Sequence, residues 1–380
     1  MNPIPSTQNN VNKPNELKLL RSAEPKVLLQ ELFDEQGDFD SNKERIKKFV
    51  KRFLVYEVPK YNNRITSLQD KASRGSDKNL YSFVSLTDRL IKQCHELENQ
   101  LDNRLLRKQI QRSFRDLINP WYGVNTFMQR CLEKPRGYPG DYATMEMVYD
   151  YKPRPFEKYG FFDHYLLGHA SCVRSRKEKL KSYLKTFLAS QAKLSPDLTI
   201  LSLGSGPCRE WFELGQRISL QVIPRIHLVC LDHDVQALEF SQGRLSKNQL
   251  LEEMKCINES LVTYSNNEWS LEIKLFDLIY AVGSADYFYD ESLRRILSRS
   301  LTLLKPGGVL LVTHKDSTKF DVAPSEWLCD WSFVARDEER FSHLVQGVLL
   351  NSGLVFSWHI ERDEIGQMMF GVAKKSKGAA

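Results

Sequence analysis

Apolar positions in the first half of the chain recur every three or four residues, the spacing of a helix with one buried face. The clearest run is Leu86, Leu90, Cys94, Leu97, Leu101 and Leu105. It predicts one long amphipathic helix over about residues 80–117, closed by Asn119-Pro120, because the residue before a proline is driven out of helical backbone. The stripe reads as a face buried in its own domain and is also a candidate homodimer seam. Residues 1–14, rich in Asn, Pro and Ser and without periodicity, predict a disordered leader. Helical spacing runs from Glu16 to about Ile118 and again from Trp121 to Leu188, interrupted by the turn-forming run Lys134-Pro135-Arg136-Gly137-Tyr138-Pro139-Gly140-Asp141.

After Ser195-Pro196-Asp197 the period changes. Short apolar runs at 198–203, 226–231, 255–257, 276–282, 308–313, 356–360 and 368–373 alternate with helix-length segments. That alternation predicts an α/β fold with a doubly wound, mostly parallel sheet. The final two runs flank a polar turn at 361–366, so a hairpin should put an antiparallel strand on the edge of the sheet. The expected organisation is a leader over 1–14, a helical cap or substrate domain over 15–190, and a sheet domain over 191–380. A helical half without a sheet of its own must bury its apolar stripes on something, so the cap is expected across the carboxyl ends of the strands.

Composition changes this picture little. With 41% apolar and 27% charged residues, the 380-residue chain is neither disordered nor a coiled-coil rod. No run approaches 18 apolar residues, and Met1 to Asn10 is polar where a secretory signal would be apolar, so a soluble, cytoplasmic protein is expected. The seven cysteines are scattered singly, and His169 with Cys172 has no second pair to complete a metal site. Disulfides and structural zinc are not expected. The net charge of +6 is uneven: residues 1–200 hold 35 Lys+Arg against 24 Asp+Glu, and residues 201–380 hold 19 against 24. The basic half reads as solvated helix faces, with an anionic partner as the alternative.

The candidate chemistry sits where strands end. Thr199 to Leu203 runs into Gly204-Ser205-Gly206-Pro207-Cys208-Arg209-Glu210, a buried strand entering a glycine turn and then a helix. Glycine is called for where a turn needs unusual dihedrals and a ligand approaches the backbone. The next strand ends in Asp232, the place where nucleotide-binding α/β folds put a carboxylate against ribose hydroxyls. His233 follows, and its ring could lie against an adenine. In the Lys134–Asp141 run, two Gly and two Pro fix a rigid turn that gathers the cation of Arg136, the hydroxyl of Tyr138 and the carboxylate of Asp141. That turn should close the site from the cap.

Taken together, the strand with Gly204-x-Gly206, the strand-ending Asp232, Phe276-Asp277-Leu278-Ile279-Tyr280, and Leu304-Lys305-Pro306-Gly307-Gly308 before a strand resemble class I S-adenosylmethionine-dependent methyltransferases, over about residues 195–375. The Lys134–Tyr142 run with Met145 and Tyr149, Arg174 and Arg176, Gly283-x-x-Asp286-Tyr287, and Asp330-Trp331 with Arg336 is similar to a narrower group. These are the bacterial extracellular-factor synthases, which make 3-hydroxypalmitic acid methyl ester. Ser284-Ala285 departs from that group's bulkier apolar pair, which would alter the acceptor pocket.

The resemblance implies a Rossmann-like sheet with a large N-terminal helical cap and S-adenosyl-L-methionine as cofactor. Gly204, Ser205 and Gly206 would pass under the methionine part, Glu210 would cap the turn or reach the amino group, and Asp232 would hold the ribose. Asn258, Glu259 and Ser260 would lie near the adenine, with Gly283, Ser284, Asp286 and Tyr287 forming the floor where cofactor and acceptor meet. Asp141, Tyr149, Arg176, Lys315 and Trp331 would line the acceptor.

The acceptor itself is left open. A carboxylate is already an anion at pH 7 and would need only orientation by Arg136, Tyr138, His314 or Lys315. A hydroxyl would need a base, with His314 first in line, and an amine could use Asp286 or Glu326. O-methylation of an apolar or fatty acid is the leading expectation. A nucleic-acid methyltransferase and a non-catalytic cofactor-binding scaffold stand behind it.

Overall fold

The computed structural model describes residues 41–72, 77–101, 103–118, 127–152, 160–192, 194–216, 224–266 and 275–377. The expected leader, the helical pattern before residue 41 and the Asn119-Pro120 stop lie outside these residues. The described chain divides into two compact units, one holding 41–118 and the other 127–152 with 160–377. The second unit thus includes helices that the sequence reading assigned to a cap ending near 190.

The first unit is helical. Helix α1 (Ser41–Arg52) continues through a wider π-type turn at Phe53–Glu57 into α2 (Val58–Ala72), followed by α3 (Asp77–Glu98) and α4 (Arg104–Ile118). Its core draws on every fourth or third position: Phe53, Leu54, Tyr61, Phe83, Leu90, Cys94, Ile110 and Phe114 are buried, and Phe53 stacks on Phe114. Inside it the Tyr61 hydroxyl meets Thr87 Oγ1 at 2.8 Å. The single helix expected over 80–117 is two helices. At Gln100 and Leu101 the backbone tightens to three-residue bonds, and the Asn103 side chain accepts from the N–H groups of Leu105 and Leu106, starting α4 afresh. Periodicity alone does not register a cap that replaces one turn.

In the second unit α5 (Phe127–Glu133), α6 (Tyr142–Asp150), α7 (Gly160–His169) and α8 (Ser171–Gln191) precede the sheet. The sheet then builds as β1 (Asp197–Leu203), α9 (Arg209–Gly215), β2 (Arg225–Asp232), α10 (Val235–Leu245), β3 (Leu251–Asn258), α11 (Leu261–Ser265) and β4 (Phe276–Ala281). It is completed by α12 (Asp290–Thr302), β5 (Leu304–Lys315), α13 (Glu338–Asn351), β6 (Phe356–Arg362) and β7 (Met368–Lys375). The order is β3-β2-β1-β4-β5-β7-β6. The first five strands run parallel, and β7 runs antiparallel to both β5 and β6.

The hairpin is where the sequence puts it, but its last strand is not the edge. Met368–Lys375 is apolar on both faces and buried from Met368 to Ala373, so it inserts beside β5. Phe356–Arg362 alternates half-buried and exposed positions and takes the edge. One face of the sheet packs on α12 and α13 through Leu293, Ile296, Leu297, Phe341 and Leu344. On the other face Trp211 of α9 donates to the Tyr280 hydroxyl at 2.8 Å. The ion pairs of α8 with α9 (Lys177 and Lys181 to Glu213) and of α9 and α10 with α6 (Arg209 and Arg244 to Glu146) tie the preceding helices to the sheet.

Candidate functional site

The chain reverses direction across the sheet between β1 and β4, which opens a crevice at the carboxyl ends of the strands. The turn Gly204-Ser205-Gly206 lines it. Gly204 and Gly206 have φ of +66° and +53°, and a Cβ on Gly206 would meet nothing within 4 Å, so backbone there faces open space. Asp232, 5% exposed, holds the turn: Oδ2 accepts from Gly206 N–H at 2.8 Å and Oδ1 from Asp234 N–H at 3.0 Å. Ser205 Oγ is buried without a hydrogen-bond partner. At the end of β3, Asn258 donates to the carbonyls of Asp232 and His233, Glu259 N–H donates to Asp232 O, and Ser260 caps α11. These residues therefore gather at the carboxyl ends of β1, β2 and β3.

A buried charge cluster forms the other wall. Asp286 is fully buried; its Oδ1 accepts from Lys315 N–H at 2.9 Å, and its Oδ2 lies 2.6 Å from Lys315 Nζ and 3.8 Å from Arg176. Burial would raise its carboxyl, but Lys315, His314 and Arg176 overcome that and hold it at about 2. The Lys315 ammonium lies 3.7 Å over the Phe333 ring and 5.8 Å from that of Phe320, a favourable cation–π placement. His314 is also buried, and both ring nitrogens are engaged: Nδ1 with Lys315 O at 2.8 Å and Nε2 with Arg336 Nη1 at 2.7 Å. An arginine donates only, so Nε2 accepts and Nδ1 carries the proton. Burial first, and then Arg336 and Lys315, lower its pKa against the pull of Asp286.

The Lys134–Asp141 turn spans this crevice. Arg136 forms a bidentate pair with Asp234, and Tyr138 donates to the same carboxylate at 3.4 Å while its ring lies 4.8 Å from that of His233. Burial pushes the Asp234 carboxyl up and Arg136 pulls it below its ordinary value. At the far end Lys134 pairs with Asp330, and Gly140 packs on Trp331 and Tyr287, whose side chains share a 2.8 Å hydrogen bond. Asp141 is fully buried, capping α6 through Thr144 N–H and pairing with Arg130. It faces the protein rather than the crevice.

The structure thus brings Arg136, Tyr138 and His233 together on the β2 side, and Arg176, Asp286, Lys315, Tyr287 and Trp331 on the β4–β5 side. His314 and Asp141 are held in internal contacts. Sequence reasoning passed over Asp234, which anchors the turn, and the Phe320 and Phe333 rings beside Lys315. Asp234 follows Asp232 by two residues and N-caps α10, a signal available from the Asp-x-x helix-start pattern.

The order 3-2-1-4-5-7-6 with a reversed strand seven, and a glycine turn at its switch point, defines a Rossmann-like sheet of the class I methyltransferase type, preceded by helices. No family model and no curated protein matches the sequence. Among solved structures, a possible exported protein from Bordetella parapertussis is similar over 89% of this chain and 100% of its own, at 15% identity and a TM-score of 0.48. The magnesium protoporphyrin IX methyltransferase of Synechocystis PCC 6803, solved with bound SAH, matches 55% of this chain and 87% of its own at 10% identity and a TM-score of 0.40. An N-methyltransferase from Bradyrhizobium japonicum WM9 matches 53% and 97% at 14% identity and a TM-score of 0.36. The fold assignment rests on the sheet order, and likeness of this degree adds nothing on the reaction. Among the described residues, no helix is long and apolar enough to cross a membrane.

Proposed function

We propose that the protein is an S-adenosylmethionine-dependent methyltransferase that O-methylates the carboxylate of an apolar or fatty acid. The observation that carries the acceptor class is His314. Its Nδ1 donates to Lys315 O and its Nε2 accepts from Arg336, so the histidine first in line as a general base has no free basic nitrogen. An acceptor meeting such a site has to arrive nucleophilic, as a carboxylate does at pH 7.

The residues fit the donor. Gly206 leaves open space, Ser205 Oγ lacks a partner, and Asp232 ends β2 with a carboxylate, so Gly204, Ser205, Gly206 and Asp232 would hold it, with His233, Asn258, Glu259 and Ser260 at the nucleoside end. When bound, S-adenosylmethionine supplies a methyl group made electrophilic by its sulfonium. The chain's part is to orient and to exclude water, contributions worth up to about 7 to 11 kcal/mol when alignment is good. Lys315, fixed by Asp286 and flanked by Phe333 and Phe320, would set an anionic head group beside apolar walls. Arg136 and Tyr138, anchored on Asp234, would keep the Lys134–Asp141 turn closed over the nucleoside end.

The test is incubation with methyl-labelled S-adenosylmethionine and a series of straight-chain and 3-hydroxy carboxylic acids, read by mass spectrometry. Labelled methyl esters are expected. Label confined to hydroxyl or amine products of a metabolite extract would overturn the carboxylate reading.

A further inference from the structure

β6 closes the sheet on one side, and among the described residues no strand continues past it. Its register with β7 fixes which backbone groups are left over. Asp363 N–H donates to Met368 O at 3.2 Å and Ser376 N–H donates to Val355 O at 2.9 Å, so the odd-numbered residues along this strand face β7. The N–H and C=O groups of Phe356, Trp358, Ile360 and Arg362 therefore point out of the sheet. An open row of this kind is a template for another strand.

The two edges of the sheet differ in how they meet solvent. On β3 the exposed side chains are Glu252, Glu253, Lys255 and Asn258, and charges there keep strand edges apart. β6 holds no lysine, proline or glycine, and its charged residues are engaged within the chain, Glu361 with Lys179 and Arg362 with Asp316 and Glu338. Apolar residues flank it at both ends: Leu350, Leu354 and Val355 are 80%, 42% and 72% exposed before it, and Ile365 is 47% exposed in the turn after it.

We infer that β6 is the contact between two copies of this chain, paired antiparallel about a two-fold axis through His359. Only that antiparallel register overlaps all seven residues of the strand. It sets Trp358 opposite Ile360 of the second copy, an aromatic against a β-branched residue on the row that packs on the core. It also brings Leu354 and Val355 of one copy beside the turn that carries Ile365 in the other. A foreign strand would need its own match for each end, whereas a two-fold copy supplies both, because each end of β6 complements the other. The apolar stripe of α3 is not available for this purpose, since Leu90, Cys94 and Leu97 are buried within their own unit.

The test is sedimentation equilibrium of the full chain together with exposed-site variants. A contact of one strand and its ends is small, so the wild type should be a monomer–dimer mixture with a Kd on the order of micromolar. His359 faces its counterpart as a non-hydrogen-bonded pair, where Cα atoms lie about 4.5 Å apart and within disulfide reach. His359→Cys should therefore cross-link to a dimer in oxidised glutathione, the two thiols giving two electrons and two protons to the glutathione disulfide. Ser357→Cys, displaced about 13 Å along the strands from its counterpart, should not. Val355→Asp adds a carboxylate beside Asp363 and Glu364 of the second copy and should raise Kd at least about 10-fold, while Val355→Lys should hold it within about 3-fold. Val355 is exposed, so an unchanged urea midpoint is expected for both variants and certifies that they are folded. Equal weakening by the two Val355 variants, or cross-linking at 357 as readily as at 359, overturns the pairing. A wild type that stays monomeric at about 100 µM overturns it too, and leaves the edge to another occupant such as residues 1–40 of the same chain or a different protein.

Discussion

At the scale of single residues, His314 and Asp232 separate the competing chemistries. If the acceptor is a carboxylate, the single-turnover rate should be nearly flat from about pH 6.5 to 8.5, because a free carboxyl titrates near 4 to 5. His314→Gln should then slow it less than about 10-fold, through the lost bond to Lys315 O rather than a lost base. A rate that climbs with pH and collapses in this variant would contradict the assignment. Asp232→Ala should weaken S-adenosylhomocysteine binding by about 1 to 3 kcal/mol, since it removes both a charged acceptor and the bonds that fix Gly206 and Asp234. Calorimetry reads this directly. Asp232 was legible in the sequence because a carboxylate ending a strand is a local pattern. Asp234 was not assigned, because its partner Arg136 lies 98 residues away and nothing local announces the pairing.

Among the elements, the parallel strands were the most legible, because strands buried on both faces are continuous apolar runs: β1 and β4 start and stop within a residue or two of where the sequence puts them. The order of β6 and β7 was not, since a hairpin read from sequence does not say which arm meets β5. The break between α3 and α4 escaped for a similar reason, as apolar spacing continues through Leu97, Leu101 and Leu105 while the backbone does not. The glycines at the ends of β1 and β4 carry the element-scale prediction. Gly206→Ala meets no atom within 4 Å and should cost only the strain of its positive φ, about 1 kcal/mol. Gly283→Ala carries the same kind of strain at φ +95° and must also displace the buried Arg176 guanidinium, so it should cost more than Gly206→Ala, read by urea unfolding. Equal costs at the two positions would show that the Arg176 guanidinium does not lie across the β4 end.

For the molecule as a whole, the unit containing the sheet is held at its helical side by ion pairs as well as by apolar contact. Glu213 takes Lys177, Lys181 and Arg209, and Glu146 takes Arg209 and Arg244. Burial raises the Glu213 carboxyl, but its three cations bring it down to about 2, and Asp286 reaches the same value in its own cluster. Ordinary unfolded values are about 4.3 for Glu and 3.9 for Asp. A carboxyl with a depressed folded-state pKa adds stability that is present above the unfolded value and is lost as pH falls toward the folded one. Both groups therefore predict a loss of stability between about pH 4 and pH 2. Glu210, whose carboxyl is raised, has the opposite sign and favours the folded state when protonated, so it partly offsets this loss. The midpoint of urea unfolding should accordingly hold from pH 7 to about pH 5 and fall steeply below 4. Glu213→Gln should lower the plateau and flatten the fall, because the titrating group is gone. The same ion pairs bear on where the chain can be cut. A fragment of residues 124–380 keeps α5 to α8 and every pair named above, and should bind S-adenosylhomocysteine as the full chain does. A fragment of 191–380 takes Lys177 and Lys181 away from Glu213 and loses Arg176 and the Lys134–Asp141 turn, and should be poorly soluble or unable to bind. Binding by the shorter fragment with full-chain affinity would show that these helices contribute neither to the fold of the sheet nor to the donor site.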